Sequence, residues 1–179
     1  MSAKRTRTQT VALSALFIAL LIVSCFITIP IGPVPFTLQT AVVILIALIC
    51  SPKEAATITA IYLFMGAIGL PVFSGMTGGI VRASTGFLAG FVIGSSASAA
   101  LRLLIARASG KTVLADIIAA VIYMVIADVL GLIWYVFFGG VTVGEAFVIM
   151  VAPFIIVDVI KAALAISIAR GVRAALNWE

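Results

Sequence analysis

Histidine is absent from this chain, cysteine occurs twice, and charge is scarce: 9% of the 179 residues are Asp, Glu, Lys or Arg. Without histidine, and without a Cys, Asp and Glu cluster at ligand spacing, nothing points to zinc or haem chemistry, and no metal or other cofactor is expected. A Gly-x-x-x-x-Gly-Lys-Ser/Thr phosphate loop is missing too, so the chain cannot power itself by hydrolysing ATP. Soluble domains carry about a quarter of their residues as charges, yet no polar stretch here is longer than the first ten residues. That excludes a soluble domain beside the apolar segments. What remains is 64% hydrophobic, with a mean hydropathy of +1.37. This is the composition of an all-α membrane protein, a single integral domain over residues 1–179.

The first ten residues carry Lys4, Arg5 and Arg7 and no acid. Val11 to Ile29 follows, 19 residues without a charge, long enough at about 1.5 Å per residue to cross a hydrocarbon core of roughly 30 Å. A cleaved signal peptide also starts with positive charge, but its apolar core is normally about 7 to 15 residues and ends in a small-residue cleavage site, which this segment lacks. Ala12, Ala15 and Ala19 form a narrow small-residue stripe on this helix, the kind that lets a second helix approach closely in lipid. Pro30, Gly32, Pro33 and Pro35 then make a stiff, uncharged loop. Apolar runs and breakers predict five more helices, over about 38–50, 55–70, 86–105, 113–138 and 146–170. Ser51-Pro52-Lys53-Glu54 turns the chain before the third, and Pro153 is an alternative first turn for the sixth. The Gly-rich connection Pro71 to Thr85 exceeds the usual loop length. A small face at Gly90, Gly94, Ala97 and Ser98 marks the fourth helix.

Six helices place both termini on one side. Lys4, Arg5, Arg7, Lys53, Arg102, Arg107, Lys111, Arg170 and Arg173 then share that side, while the opposite loops hold only Arg82. The positive-inside rule makes both termini cytoplasmic, in a prokaryotic cell membrane crossed several times. The net charge of +5 describes loops against an anionic leaflet and implies no nucleic acid partner. Cys25 and Cys50 fall near opposite faces and read as small buried apolar residues.

The most informative run is Phe154 to Leu164, where Asp158 and Lys161 stand three residues apart in an otherwise apolar helix. Positions i and i+3 share a helix face, and each charge costs roughly 2.5 to 3.5 kcal/mol at the centre of a membrane helix. The pair is either a structural ion bridge or the polar floor of a buried ligand site. Counted from Pro153, Asp158 lies only about 7 to 8 Å below the outer end of the helix and Lys161 about 12 Å, under the Pro-rich and Gly-rich loops.

Pro33-Val34-Pro35-Phe36-Thr37-Leu38-Gln39-Thr40 resembles the signature of the BioY family, the biotin-specific S components of energy-coupling factor (ECF) transporters. Gly66 to Gly75 resembles that family's end of helix three, Thr85 to Phe91 its start of helix four, and Pro153-Phe154 with Asp158 and Lys161 its helix six. The resemblance implies the six-helix ECF S-component fold, no enzymatic activity, and capture of biotin in an outward-facing pocket. It also implies a transmembrane coupling subunit and two cytoplasmic ATPase subunits as partners, beside membrane lipid; further copies of the chain are compatible with it. Asp158 and Lys161 map onto the expected biotin-site pair. Phe36, Thr37 and Gln39 of the first loop, and Phe73, Ser84, Thr85 and Phe87 around the third, become candidates for lid and wall. Ala15 and Ala19 fit the family's Ala-x-x-x-Ala surface for the coupling subunit.

The departures are equally definite. Ile156-Val157 replaces a Pro-Gly pair before the aspartate, Arg82-Ala83-Ser84 replaces Gly-Pro-Thr, and Asp128 stands in helix five where the family leads one to expect an aromatic. Arg82 is either a further carboxylate clamp or an exposed loop charge. Asp128 needs a partner or a proton, in the pocket, within the bundle or at a subunit surface. Three other readings remain: an S component for a different vitamin, a solitary biotin facilitator, and an intramembrane aspartyl hydrolase built on Asp128 with Asp158. The last lacks any protease motif.

Overall fold

A computed structural model of the chain describes residues 5–29 and 34–176. Helix α1, Arg7–Ser24, starts at a capping box in which Thr6 and Gln9 satisfy each other's backbone N–H groups. It ends a turn before the expected Ile29. Ile27, Thr28 and Ile29 are β-branched and precede Pro30, a context that disfavours helix. Thr28–Ile29 (β1) instead pairs antiparallel with Phe36–Thr37 (β2), with Thr28 opposite Thr37. The Pro-rich loop is therefore closed as a small hairpin, although residues 30–33 lie outside those described.

Helix α2, Gln39–Ile49, is apolar on every side. It is accordingly buried, with Val43, Ile44, Ile46, Ala47 and Leu48 at 0–1% exposure. Around it pack α1, α3 (Pro52–Ala67), α4 (Thr85–Ser109), α5 (Thr112–Gly139) and α7 (Ile155–Leu176). Ser51 to Glu54, expected as a separate turn, is the start of α3: Ser51 and Glu54 form a capping box and Pro52 occupies the first turn.

The expected small face of α4 meets α5 at Gly90 and Gly94, and Gly86 extends it. A Cβ on Gly86 would lie 2.3 Å from the Leu130 carbonyl oxygen, and one on Gly90 would lie 2.7 Å from the Ala127 Cα. The two backbones are in van der Waals contact because those side chains are missing. The sixth apolar segment is two helices, α6 (Val143–Met150) and α7, bent by 53°. Pro153 lies in the break; it has no N–H to continue a helix, and its ring clashes with the preceding turn.

The helices α1, α4 and α5 are long and apolar enough to cross a membrane, as is the α6–α7 pair taken as one bent span. At 11 and 16 residues, α2 and α3 reach about 16 and 24 Å, short of a full hydrocarbon core of roughly 30 Å. By length and composition alone, three or four of the six expected segments qualify as full spans. Outward faces are apolar, as at Phe64, Leu104, Val148 and Ile156.

At one end the bundle is tied by Asp116, whose side chain is fully buried. Its Oδ1 accepts from Arg102 Nε at 2.7 Å and Arg173 Nη1 at 3.0 Å, and its Oδ2 accepts from Arg173 Nη2. Arg173 also donates to the Leu48 carbonyl at 3.2 Å. One carboxylate thus links α2, α4, α5 and α7.

Candidate functional site

The other end of the bundle holds a pocket of about 790 Å³, counted to its mouth. Its floor is the first turn and a half of α7. Lys161, 4% exposed, donates from Nζ to Asp158 Oδ1 at 2.8 Å and to Thr40 Oγ1 at 2.9 Å, and lies 4.2 Å from the centre of the Phe36 ring. Strand β2, the start of α2 and α7 therefore supply one group each to the ammonium: a ring face, a hydroxyl and a carboxylate. Such a site satisfies a buried cation while keeping it next to the cavity.

Gln39 is fixed beside it. Its Nε2 donates to the Tyr62 hydroxyl, which donates in turn to the Val72 carbonyl at 2.5 Å, while Thr37 Oγ1 donates to Gln39 Oε1 at 3.4 Å. That chain connects the first loop, α3 and the third loop. Phe73 turns inward at 1% exposure, edge-on to Tyr62 with ring centres 5.6 Å apart. Gly66 makes the space, since a Cβ there would come within 2.0 Å of the Phe73 ring. A tight turn with Gly75 and Met76 at positive φ returns the loop, and Phe73 and Thr77 exchange backbone bonds across it.

Nine of the expected binding residues line this pocket: Phe36, Thr37, Gln39, Phe73, Ser84, Phe87, Asp128, Asp158 and Lys161. Asp128 comes from α5 and has no hydrogen-bond or ion-pair partner among the described residues; Asp158 and Lys161 are the charges acting on it. Thr85 and Arg82 are not part of the lining. The Thr85 hydroxyl is spent on the loop, accepting from Arg82 N and donating to the Ile80 carbonyl. Arg82 is half-buried, its guanidinium 5.9 Å from the centre of the Phe73 ring, and Trp134 Nε1 donates to its carbonyl at 2.8 Å. Burial lowers the pKa of its guanidinium, and Nη1 has no hydrogen-bond partner among the described residues. Ala15 and Ala19 are exposed on α1, opposite the buried Phe17 and Leu21.

Thr40, Phe91, Tyr123 and Phe154 also line the cavity. Tyr123 is the most informative of these: its hydroxyl is buried and has no hydrogen-bond partner among the described residues. A tyrosine in the middle of an apolar helix is the signal that could have found it, because a buried phenol normally has a partner.

Helices with apolar outer faces around a ligand-sized polar-floored pocket define a multi-pass membrane protein built to hold a small molecule. The BioY family model matches residues 1–178, and the chain belongs to the BioY family. It is 36% identical over 166 residues to the "Probable biotin transporter BioY" of Pyrococcus horikoshii, covering 91% of this chain and 95% of that one. It is likewise 36% identical over 165 residues to "Biotin transporter BioY2" of Lactococcus lactis, covering 90% and 88%. Among solved structures it resembles the S-component for biotin from an ECF-type ABC transporter, with a TM-score of 0.85 and 27% identity over 96% of this chain and 95% of the other. The family is one of transporters and not of enzymes.

Proposed function

We propose that the chain is the substrate-capture subunit of an ECF-type biotin transporter, with the pocket facing outward and both termini cytoplasmic in a single membrane domain. The observation that carries this reading is the Lys161 ammonium held by Asp158, Thr40 and Phe36 at the floor of an aromatic-walled cavity. Biotin offers a ureido ring with two N–H donors and one carbonyl acceptor on an apolar bicycle, and a carboxylate on a flexible tail. The floor offers two carboxylates, Asp158 and Asp128, and one ammonium. Two acceptors for two donors, and one donor for one acceptor, favour the ring downward and the anionic tail toward the mouth. The reverse orientation would set an anion against Asp128. Phe73, Phe87 and Phe91 offer apolar surface to the bicycle.

Energy must come from other subunits, since the chain has no phosphate loop. The exposed Ala15 and Ala19 suit close approach of a coupling-subunit helix. The test is calorimetric titration of the purified protein in detergent with biotin, beside Asp158→Asn and Lys161→Ala, with thiamine and riboflavin as controls. Tight biotin binding by the wild type, lost in both variants, is the expected result. A folded wild type that ignores biotin would end the substrate assignment.

A further inference from the structure

A second cavity, about 960 Å³ counted to its opening, lies at the other end of the bundle between the last turns of α4 and α7 and the first turn of α5. Arg102, Arg107, Arg170 and Arg173 line it, with Thr112. Asp116 is the carboxylate that Arg102, Arg170 and Arg173 share, so four guanidiniums and one carboxylate leave a surplus of three positive charges. Arg102 and Arg173 are committed to Asp116. Arg170 reaches it only at 3.7 Å and its side chain is 42% exposed. Arg107 has no partner among the described residues. The first turn of α5 carries no acid and Lys111 makes no side-chain cap, so the backbone N–H groups there add to the positive potential.

The rim carries apolar groups: Leu103, Ala106 and Ala174 complete the lining, and Leu104, Val113 and Leu176, next to or near lining residues in sequence, are exposed. A soluble acidic peptide would neutralise the cations and leave that rim uncovered. A lipid satisfies both, with its phosphate in the cavity and its acyl chains on the rim. We propose that this cavity binds the phosphodiester headgroup of an anionic phospholipid, held by Arg107 and Arg170. The guanidinium fork matches two phosphate oxygens, and basic cavities between membrane helices favour such headgroups. Arg170 is about 18 Å along α7 from Asp158, and the site does not depend on the ligand in the other pocket.

Native mass spectrometry of the delipidated protein with phosphatidylglycerol, phosphatidylcholine or inorganic phosphate tests this. Phosphatidylglycerol should be retained at least about tenfold over phosphatidylcholine, and the doubly substituted Arg107→Gln, Arg170→Gln protein should lose that preference while its biotin titration is unchanged. Equal retention of the two lipids overturns the proposal, as does an undiminished preference in the variant. Binding of inorganic phosphate without lipid selectivity would also overturn it, in favour of a soluble anion. An acidic peptide that binds the wild type while phosphatidylglycerol does not would hand the cavity to a protein partner. The wild-type lipid comparison needs no variant, so it decides the matter even if the double substitution impairs folding.

Discussion

The two ends of this bundle carry charge in inverted proportion. In the cluster at one end one carboxylate, Asp116, faces Arg102, Arg170 and Arg173, with Glu54 paired separately to Arg5; in the pocket at the other, one ammonium, Lys161, stands with Asp158 and Asp128. Asp116 is closed in, with both oxygens engaged and its strongest partner tied to α2 as well. The pocket end is left open: Asp128 is unpartnered among the described residues and the Tyr123 hydroxyl is buried without a bond. A buried polar group left unsatisfied costs about 1 to 3 kcal/mol. When such groups border a cavity, whatever enters the cavity can recover that cost. That contrast is the basis for reading the saturated cluster as structural and the unsaturated one as the proposed ligand site.

If that division is right, Asp116→Asn gives the largest effect on stability. It leaves buried guanidiniums uncompensated, for a loss of about 3 to 5 kcal/mol, visible as a lowered melting temperature in detergent. An unmoved melt would remove the structural half of the comparison. Lys161→Ala should act mainly on binding, weakening biotin by about a hundredfold, the ~2 to 3 kcal/mol of a charge-assisted bond, with a smaller change in melting than Asp116→Asn. A variant that melts much earlier yet binds normally when folded would make the pair a structural bridge after all. Asp128→Asn should leave the melt unchanged or raised, since a half-buried charge without a partner among the described residues disappears. Its biotin affinity should fall about tenfold by titration calorimetry. Undiminished affinity would remove Asp128 from the ligand's partners.

Much of this arrangement was legible in the sequence. The i, i+3 spacing of Asp158 and Lys161 put both on one face, and their cost in lipid marked them as either a structural bridge or a site floor; the two are bridged, and both line the pocket. The Gly-rich α4 face announced a close helix contact, although its register on α5 rests on Ala127 and Gly131, which composition does not distinguish. The break before α7 was signalled by Pro153, but a proline does not state its bend angle. Thr40 as the second partner of Lys161 is separated from it by 121 residues. That contact depends on how α2 packs against α7, which periodicity leaves open. The hairpin was missed because Thr28–Ile29 continues an apolar run that reads equally as helix.

Arg82 gives the smallest expected effect and the finest test of the inverted proportion. It is a cation near the pocket end, but it lies over Phe73, which lines the cavity, and is not itself in the lining. Its contribution therefore passes through the ring it covers, at about 0.5 to 1 kcal/mol for a cation–π contact. Arg82→Gln should weaken biotin only a few-fold, and should weaken the neutral amide of biotin by the same factor, because neither ligand's tail is what Arg82 touches. A selective loss for the carboxylate form would mean that Arg82 reaches the tail at the mouth. The pocket end would then have two cations against two carboxylates, and its contrast with the arginine end would lie in burial and partnering alone.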